Sequence, residues 1–479
     1  MNYRMIAYIL RYILCCEGLL LLLPFAVSLI YGESCWVAFL ICIVLCVIIG
    51  FPFKLTRPKR AELHTKEGLV IVALSWITLS IIGALPFIIS GVIRDPIDAL
   101  FETVSGFTTT GATILSDVEV LPKSMLFWRS FTHWIGGMGV LVFILTVLPM
   151  SSGNHMNLMK AESPGPSVDK FAPKVKTNAK ILYSIYIVLT LLQIVFLLIG
   201  KMPLFDAITT TFGTAGTGGF GVKNTSLAGY SVYNQVVVTI FMLLFGINFN
   251  FYFLLICKRF KRAFKNEEVL TYFVIIAAAI IIITIDIREI FGNIGMALQQ
   301  SAFQVGSIIT TTGFSTTDFN LWPQVSKTVL VILMFIGACA GSTGGGMKVS
   351  RLIILVKTVS KELHGYIHPG SVKKITLNGK QIPHEVVRTT NVFFVTYVLI
   401  FALSIFLVSF DGKDLVTTFT SVAATFNNIG PGLEIVGPAG NFSTFSAGAK
   451  LVLIFDMLAG RLELFPMLML FSRHAWKKF

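Results

Sequence analysis

The sequence predicts an all-α polytopic membrane protein: four pseudo-symmetric helix–pore loop–helix repeats around a central pore, preceded by an N-terminal two-helix unit. Three observations predict it. The chain is too apolar for water, its basic residues gather in a few short connections, and one Thr/Gly-rich pattern recurs four times between apolar segments.

The first observation concerns solvent. Of 479 residues, 55% are hydrophobic and only 13% charged, and the mean hydropathy is +0.80. A soluble domain carries about 25% charged residues. Residues 19–30, 36–51 and 273–285 are almost uncharged, and a bilayer-spanning helix needs roughly 20 such residues. The second observation is where the net charge of +14 resides. On a soluble domain it would point to nucleic acid. Here the cations fall at 54–66, 160–180, 258–265, 348–388 and 473–478. Placing these segments and the N-terminus in the cytoplasm puts 28 of the 38 Lys and Arg inside and nine outside, with Arg461 alone assigned to a span interior. This is the positive-inside asymmetry, a topology signal rather than a nucleic-acid footprint. The seven cysteines form no Cys-x-x-Cys pair and mostly sit in apolar runs, so they read as packing residues and not as a zinc site or disulfide framework. The apolar N-terminus reads as a first span, not a cleaved signal.

Taken in order, the apolar windows predict ten spans, near 5–30, 35–53, 68–91, 124–149, 180–200, 232–257, 269–286, 327–358, 390–410 and 447–471. An even number places both termini on one side, the cytoplasm. After the third, fifth, seventh and ninth spans come stretches too apolar for loops and too short to cross, at 101–113, 209–220, 303–315 and 419–432. Each is helix-compatible for about three turns before Thr, Gly and Asn take over. Asp95-Pro96 is a helix start signal, and Asp206 and Asp414 lie near the starts of the second and fourth stretches, where a carboxylate suits the helix dipole.

The third observation is the repeat. The first stretch ends Ser105-Gly106-Phe107-Thr108-Thr109-Thr110-Gly111-Ala112-Thr113, and the third ends Ser307-Ile308-Ile309-Thr310-Thr311-Thr312-Gly313-Phe314-Ser315. The second ends Gly216-Thr217-Gly218-Gly219-Phe220 and the fourth, the most divergent, Asn427-Asn428-Ile429-Gly430-Pro431-Gly432. Aligning Gly111, Gly218, Gly313 and Gly430 divides the chain into a two-span unit (1–66) and repeats at 67–160, 161–266, 267–387 and 388–479. Irregular backbone survives at membrane depth only when buried in protein or lining an aqueous cavity. Four half-crossing segments facing one another meet that condition. Glycine permits the turn at the end of each pore helix. Main-chain carbonyls can then replace the hydration shell of a monovalent cation, and the helix C-termini direct partial negative charge at it. The candidate filter is Thr109, Thr110, Gly111; Gly216, Thr217, Gly218; Thr311, Thr312, Gly313; and Asn428, Ile429, Gly430.

These motifs, together with His133-Trp134-Ile135-Gly136-Gly137-Met138-Gly139 and Gly460-Arg461-Leu462-Glu463-Leu464, resemble the Trk/Ktr/HKT superfamily of potassium transporters over essentially the whole chain, specifically its bacterial TrkH/TrkG branch. The two extra N-terminal spans favour that branch over the shorter KtrB type. The resemblance implies potassium uptake through the ion-conducting subunit in a bacterial cytoplasmic membrane, with K+ as substrate and Rb+ or Na+ as further candidates. It also implies a homodimer regulated by a cytoplasmic nucleotide-binding ring of the TrkA type. No covalent cofactor is expected, and nucleotide is expected only on that partner.

The eighth span is interrupted by Ala340-Gly341-Ser342-Thr343-Gly344-Gly345-Gly346-Met347-Lys348. Each glycine costs a helix about 1 kcal/mol relative to Ala, so a local, protein-lined break is expected. The resemblance makes residues 341–346 a gate beneath the filter; a packing kink is the plainer reading. The Walker spacing fails, because no Ser or Thr follows Lys348. Arg461 should face the bundle interior. The resemblance places it beneath the filter as a barrier to cations, and an ion pair with Glu463 or Asp456 is the structural alternative. The outer acids, among them Asp95, Asp98, Glu102, Asp117, Asp206, Asp286, Asp414 and Glu434, would make an electronegative vestibule or simply cap helices. His133 reads as packing. Nothing offers a nucleophile–base pair, metal cluster or nucleotide fingerprint, so an enzyme is not expected. The alternatives are a sodium-permeable or sodium-coupled transporter of the same superfamily and, more distantly, a secondary transporter with two inverted repeats.

Overall fold

The computed structural model describes residues 2–52, 65–139, 175–371 and 374–476. The described residues are mostly helical, and their one sheet is a two-stranded antiparallel hairpin pairing Thr376–Leu377 with Lys380–Gln381. Each repeat opens with a long helix: Thr65–Ile89, Val175–Ile199, Glu267–Phe291 and His384–Ser409, of 25 or 26 residues. At 1.5 Å per residue these reach about 37 Å, enough for a hydrocarbon core of about 30 Å. Their outward faces are apolar and open, with Leu191 57%, Ile285 60% and Leu399 66% exposed. Only lipid makes such a surface tolerable.

A shorter helix follows each long one: Pro96–Phe107, Leu204–Gly216, Ile294–Ile309 and Leu415–Phe426. With 12 to 16 residues, none can cross alone. Asp95 caps the first through Ile97 N at 2.8 Å, with Pro96 in its first turn. Asn293 caps the third and Asp414 the fourth. Asp206 instead sits inside the first turn of the second and accepts from Tyr230 Oη at 2.8 Å. The C-terminal portions of these helices are buried and rich in hydroxyls. Several of those hydroxyls return to their own helix, as in Thr108 to Val104 O at 2.6 Å, Thr214 to Thr210 O at 2.9 Å and Thr425 to Ser421 O at 2.9 Å. That habit lets polar side chains enter an apolar interior without leaving a donor unpaired.

The closing helices differ from expectation. Sequence hydropathy predicts a continuous span in the first, second and fourth repeats and a glycine-interrupted one in the third, whereas every one is short or divided. In the first repeat, Lys123–Gly137 stops at a Gly-Gly pair; the remainder of the 124–149 window lies outside the described residues, as does the expected boundary at 160. In the second, Val232–Phe245 turns by 89° into Phe249–Ile256. In the third, Gln324–Ile336 and Val349–Ile367 flank a long non-helical segment. In the fourth, Ala447–Arg461 gives way to Phe465–Phe471 through left-handed Glu463 and Leu464. Among the described residues, five helices are long and apolar enough to cross unaided, or six if the bent pair counts as one. The cause is that hydropathy reports burial, while these breaks fall in protein-lined surroundings where polar backbone finds partners.

Of the N-terminal unit, Tyr3–Leu20 and Leu22–Ile30 form one span, while the expected second span appears as a shorter apolar helix of 15 residues, Trp36–Gly50. They pack in one apolar cluster with repeats 1 and 4, while repeats 2 and 3 centre on two further clusters. Glu33 ties this unit to the first repeat by accepting from Lys123 N and Ser124 Oγ at 2.6 and 2.5 Å. Cys42, Cys46 and Cys339 are buried within apolar clusters, and the seven cysteines are unbridged.

Candidate functional site

The site begins as a problem of helix termination. The last carbonyls of each pore helix need partners, and all four solve this in the same way. Thr109, Thr217, Thr311 and Asn428 adopt left-handed φ values of 55–58°. Each donates its N–H three residues back, to Gly106, Thr214, Ile308 and Thr425. The next residue donates five back: Thr110 to Ser105, Gly218 to Gly213, Thr312 to Ser307 and Ile429 to Ala424, all at 2.8–2.9 Å. This is the Schellman arrangement. Its left-handed position is normally glycine, and a β-branched residue there is strained by about 1–3 kcal/mol. Three threonines carry that strain here.

A second positive φ follows two residues later, at Gly111, Gly219, Gly313 and Gly430. The sequence alignment therefore slips by one residue in the second loop. Gly219, not Gly218, corresponds to the other three glycines, and Gly218 matches Thr110, Thr312 and Ile429. Sequence alone aligned the first available Thr-Gly step. The hydrogen-bond pattern decides otherwise, because it counts from the helix end. Gly216 is the last residue of the second pore helix, and a β-carbon there would collide with the backbone of His133.

The four loops close on themselves. A β-carbon on Gly111 would collide with the Gly218 carbonyl oxygen, one on Gly219 with that of Thr312, and one on Gly313 with that of Ile429. On Gly430 it would lie 2.7 Å from the Thr110 oxygen. Each glycine thus abuts the carbonyl just before the next loop's glycine, in the order 1 to 2 to 3 to 4 to 1. The outer collar repeats that order: Val118 N to Asn224 Oδ1 at 2.8 Å, Leu227 N to Ser315 O at 3.0 Å, Asn320 Nδ2 to Glu434 O at 3.2 Å and Phe442 N to Thr113 O at 2.8 Å. One cavity lies against all four glycines and is lined also by Ser116, Asn224, Ser315 and Asn441.

That cavity corrects the expected acidic vestibule. Its lining holds Arg129 and Lys223 and no carboxylate. Glu102 is buried, pairs with Arg129 at 2.8 Å and accepts from Ile114 N at 3.0 Å. Asp98 pairs with Lys450, Asp286 accepts from Ser326, and Asp95 and Asp414 cap helices. Asp117 stands at the rim, where hydrogen bonds from the Asn224 amide and Glu119 N hold its exposed carboxyl below the usual range.

Sequence reasoning missed the Glu102–Arg129 buttress, which braces the chain leaving the first loop. The available signal was two charged residues within apolar windows. Breaking a buried ion pair by removing one partner costs about 3–5 kcal/mol. Glu102→Ala is accordingly expected to lower the thermal unfolding midpoint of the solubilised protein markedly; an unchanged midpoint would contradict the buttress. His133 packs as expected and also bridges two repeats. Its Nδ1 lies 2.8 Å from Gly106 O, and its Nε2 accepts from Phe220 N at 3.2 Å. The two bonds together require the neutral Nδ1–H tautomer.

Residues 341–346 lie against the other ends of the third and fourth loops. Gly345 N donates to Thr311 Oγ1 at 2.6 Å and Gly346 N to Asn427 O at 3.1 Å. The bend of the second repeat supports the segment from the side, through Phe249 N to Gly341 O at 3.0 Å and Cys339 N to Gly246 O at 3.1 Å. Glu268, a further residue that sequence reasoning missed, accepts from Ala340 N at 2.6 Å. Arg461 donates to Thr343 O and Gly137 O, each at 2.9 Å, and to Gly136 O. The two carboxylates expected as its partners have others: Glu463 pairs with Arg351 at 2.5 Å and Asp456 accepts from Ser404 Oγ at 2.6 Å. Lys348 Nζ, also buried, donates to Gly344 O. A second cavity, lined by Trp76, Gly344, Gly345, Lys348 and Arg461, lies on this side.

Four short helices whose ends close a ring between two cavities, set among helices long and apolar enough to cross a membrane, define a multi-pass membrane protein. Comparison gives that class a family. The profile of the TrkH family, described as a cation transport protein, matches residues 35–478. The chain is 36% identical to the "Trk system potassium uptake protein TrkH" of Escherichia coli (strain K12), over the full length of both. It is 33% identical to the TrkG protein of the same strain, with 99% of each covered. It superposes on the crystal structure of the potassium transporter TrkH from Vibrio parahaemolyticus with a TM-score of 0.88, 33% identity and complete coverage of both chains. The chain belongs to the TrkH family of cation transport proteins.

Proposed function

We propose that this protein is the ion-conducting subunit of a potassium uptake system, with K+ dehydrated by backbone carbonyls of its four loops. The observation that carries this reading is the closed ring in which each filter glycine abuts the next loop's carbonyl. Such a ring fixes main-chain oxygens at one depth around one point, and rigid carbonyl dipoles substitute for water around a cation. The filter then comprises Thr109, Thr110, Gly111; Thr217, Gly218, Gly219; Thr311, Thr312, Gly313; and Asn428, Ile429, Gly430. The potassium-uptake names of its full-length relatives support the choice of ion. The single cyclic direction of the ring speaks against two inverted halves.

Residues 341–346 act as a gate. They occupy the pathway's inner side and are held there by Thr311, Asn427 and Arg461. Both termini face the cytoplasm, where the basic segments lie. A homodimer with a nucleotide-binding ring on that face completes the assembly. The deciding experiment is rubidium uptake by purified protein in liposomes, with and without excess Na+ or an imposed proton gradient. Saturable Rb+ uptake displaced by K+ and little affected by Na+ is expected. Equal competition by Na+ would assign the chain to the sodium-permeable alternative, and no uptake of either would reject the reading.

A further inference from the structure

The closing helix of the second repeat carries an arm that the proposed pathway does not use. Beyond its 89° turn, Phe249–Ile256 leads into eight positions holding five cations: Lys258, Arg259, Lys261, Arg262 and Lys265. From residue 256 to 265 only Ala263 is buried. It shares an apolar cluster with Phe251 and Val269 and thereby anchors the short helix Phe260–Phe264. Around that anchor Phe260 is 54% and Phe264 68% exposed, beside Ile256 at 68%. The two rings, four positions apart, share a helix face. Among the described residues none of the five cations pairs with a carboxylate. The next acids along the chain are engaged, Glu267 by Lys357 at 2.5 Å and Glu268 by Ala340 N at 2.6 Å.

We infer that this arm binds anionic phospholipid headgroups of the leaflet it meets. Its cations take the phosphates, while Phe260 and Phe264 lie at the acyl boundary. A water-facing surface has no use for two open phenylalanines beside an exposed isoleucine, whereas the membrane interface takes aromatic rings and cations together. Juxtamembrane basic clusters are drawn to anionic lipid in this way. The arm also runs directly into Glu267–Phe291, a helix long and apolar enough to cross a membrane, which favours lipid over a soluble acidic partner. Its root bonds residues 339–341 through Gly246 and Phe249, so the site adjoins the proposed gate. The inference rests on the chain spanning a bilayer and is independent of which ion it conducts.

The test uses full-length protein extracted from vesicles of equal phosphatidylglycerol and phosphatidylcholine, with retained lipid counted by native mass spectrometry. Wild type is expected to keep phosphatidylglycerol over phosphatidylcholine, less so as salt screens the charges. Lys258→Gln/Arg259→Gln/Lys261→Gln/Arg262→Gln should lower that preference by about fivefold or more. Lys361→Gln/Lys380→Gln/Arg388→Gln, which removes charge elsewhere, should leave it unchanged. Equal retention by wild type and the four-residue variant would overturn the site and leave the arm to a soluble partner. An equal loss in both variants would overturn it as well, by showing that net charge alone binds the lipid. Rubidium flux plays no part in the readout, so failure here is distinguishable from failure of the potassium reading.

Discussion

Deleting residues 344–346 is expected to raise rubidium influx into proteoliposomes by on the order of tenfold or more, without any regulatory partner. In the proposed gate the closed position would rest on Gly345 N to Thr311 Oγ1, Gly346 N to Asn427 O and Lys348 to Gly344 O. A net hydrogen bond contributes about 0.5–1.5 kcal/mol, and 1.4 kcal/mol is a factor of ten in a population. Losing two or three such bonds, with the obstruction itself, therefore shifts the closed state decisively. Arg461→Ala should act in the same direction more weakly, because it frees the carbonyls of Thr343, Gly136 and Gly137 while leaving the segment in place. Influx unchanged in both variants, with wild-type expression and melting behaviour, would remove the gating role.

Gly219→Ser is expected to lower the K+ over Na+ preference of that influx by about 10- to 100-fold. Its backbone is left-handed, φ +79°, and a β-carbon would be forced into the Thr312 carbonyl of the next loop. An interaction with a charged partner contributes about 1.5–3 kcal/mol, and displacing one ring carbonyl forfeits that for the ion that fits. Gly313→Ser should behave alike, since it faces the Ile429 carbonyl with φ +82°. The two variants together test the register of the second loop as well as the filter. Unaltered ion ratios in Gly219→Ser, alongside altered ones in Gly313→Ser, would return the equivalence to Gly218.

How far the chain was legible follows from which physical signal each feature leaves. Pore helices announced themselves because a segment of 12 to 16 apolar residues can neither cross a bilayer nor be solvated. Asp95-Pro96 marked one start outright, through capping that acts within three residues. The glycine run at 341–346 was equally plain, because a helix does not tolerate it. The broken closing helices were hidden, since Gly246-Ile247-Asn248 bends the chain by 89° without leaving the apolar pattern. Glu102 read as one of the outer acids and Arg129 stands 27 positions further on, and only the fold makes them one buried pair.

The sequence by itself determined the solvent, the fourfold plan and the turning points, because hydropathy, charge asymmetry and glycine act locally along the chain. The tertiary structure alone decided that Gly219 is the fourth equivalent glycine, that Glu102 and Asp98 pair with Arg129 and Lys450, and that Arg461 holds carbonyls on two separate elements. Those outcomes depend on which loop lies beside which. That is set by packing between residues such as Gly136 and Arg461, 325 positions apart, and no local pattern encodes such a neighbour.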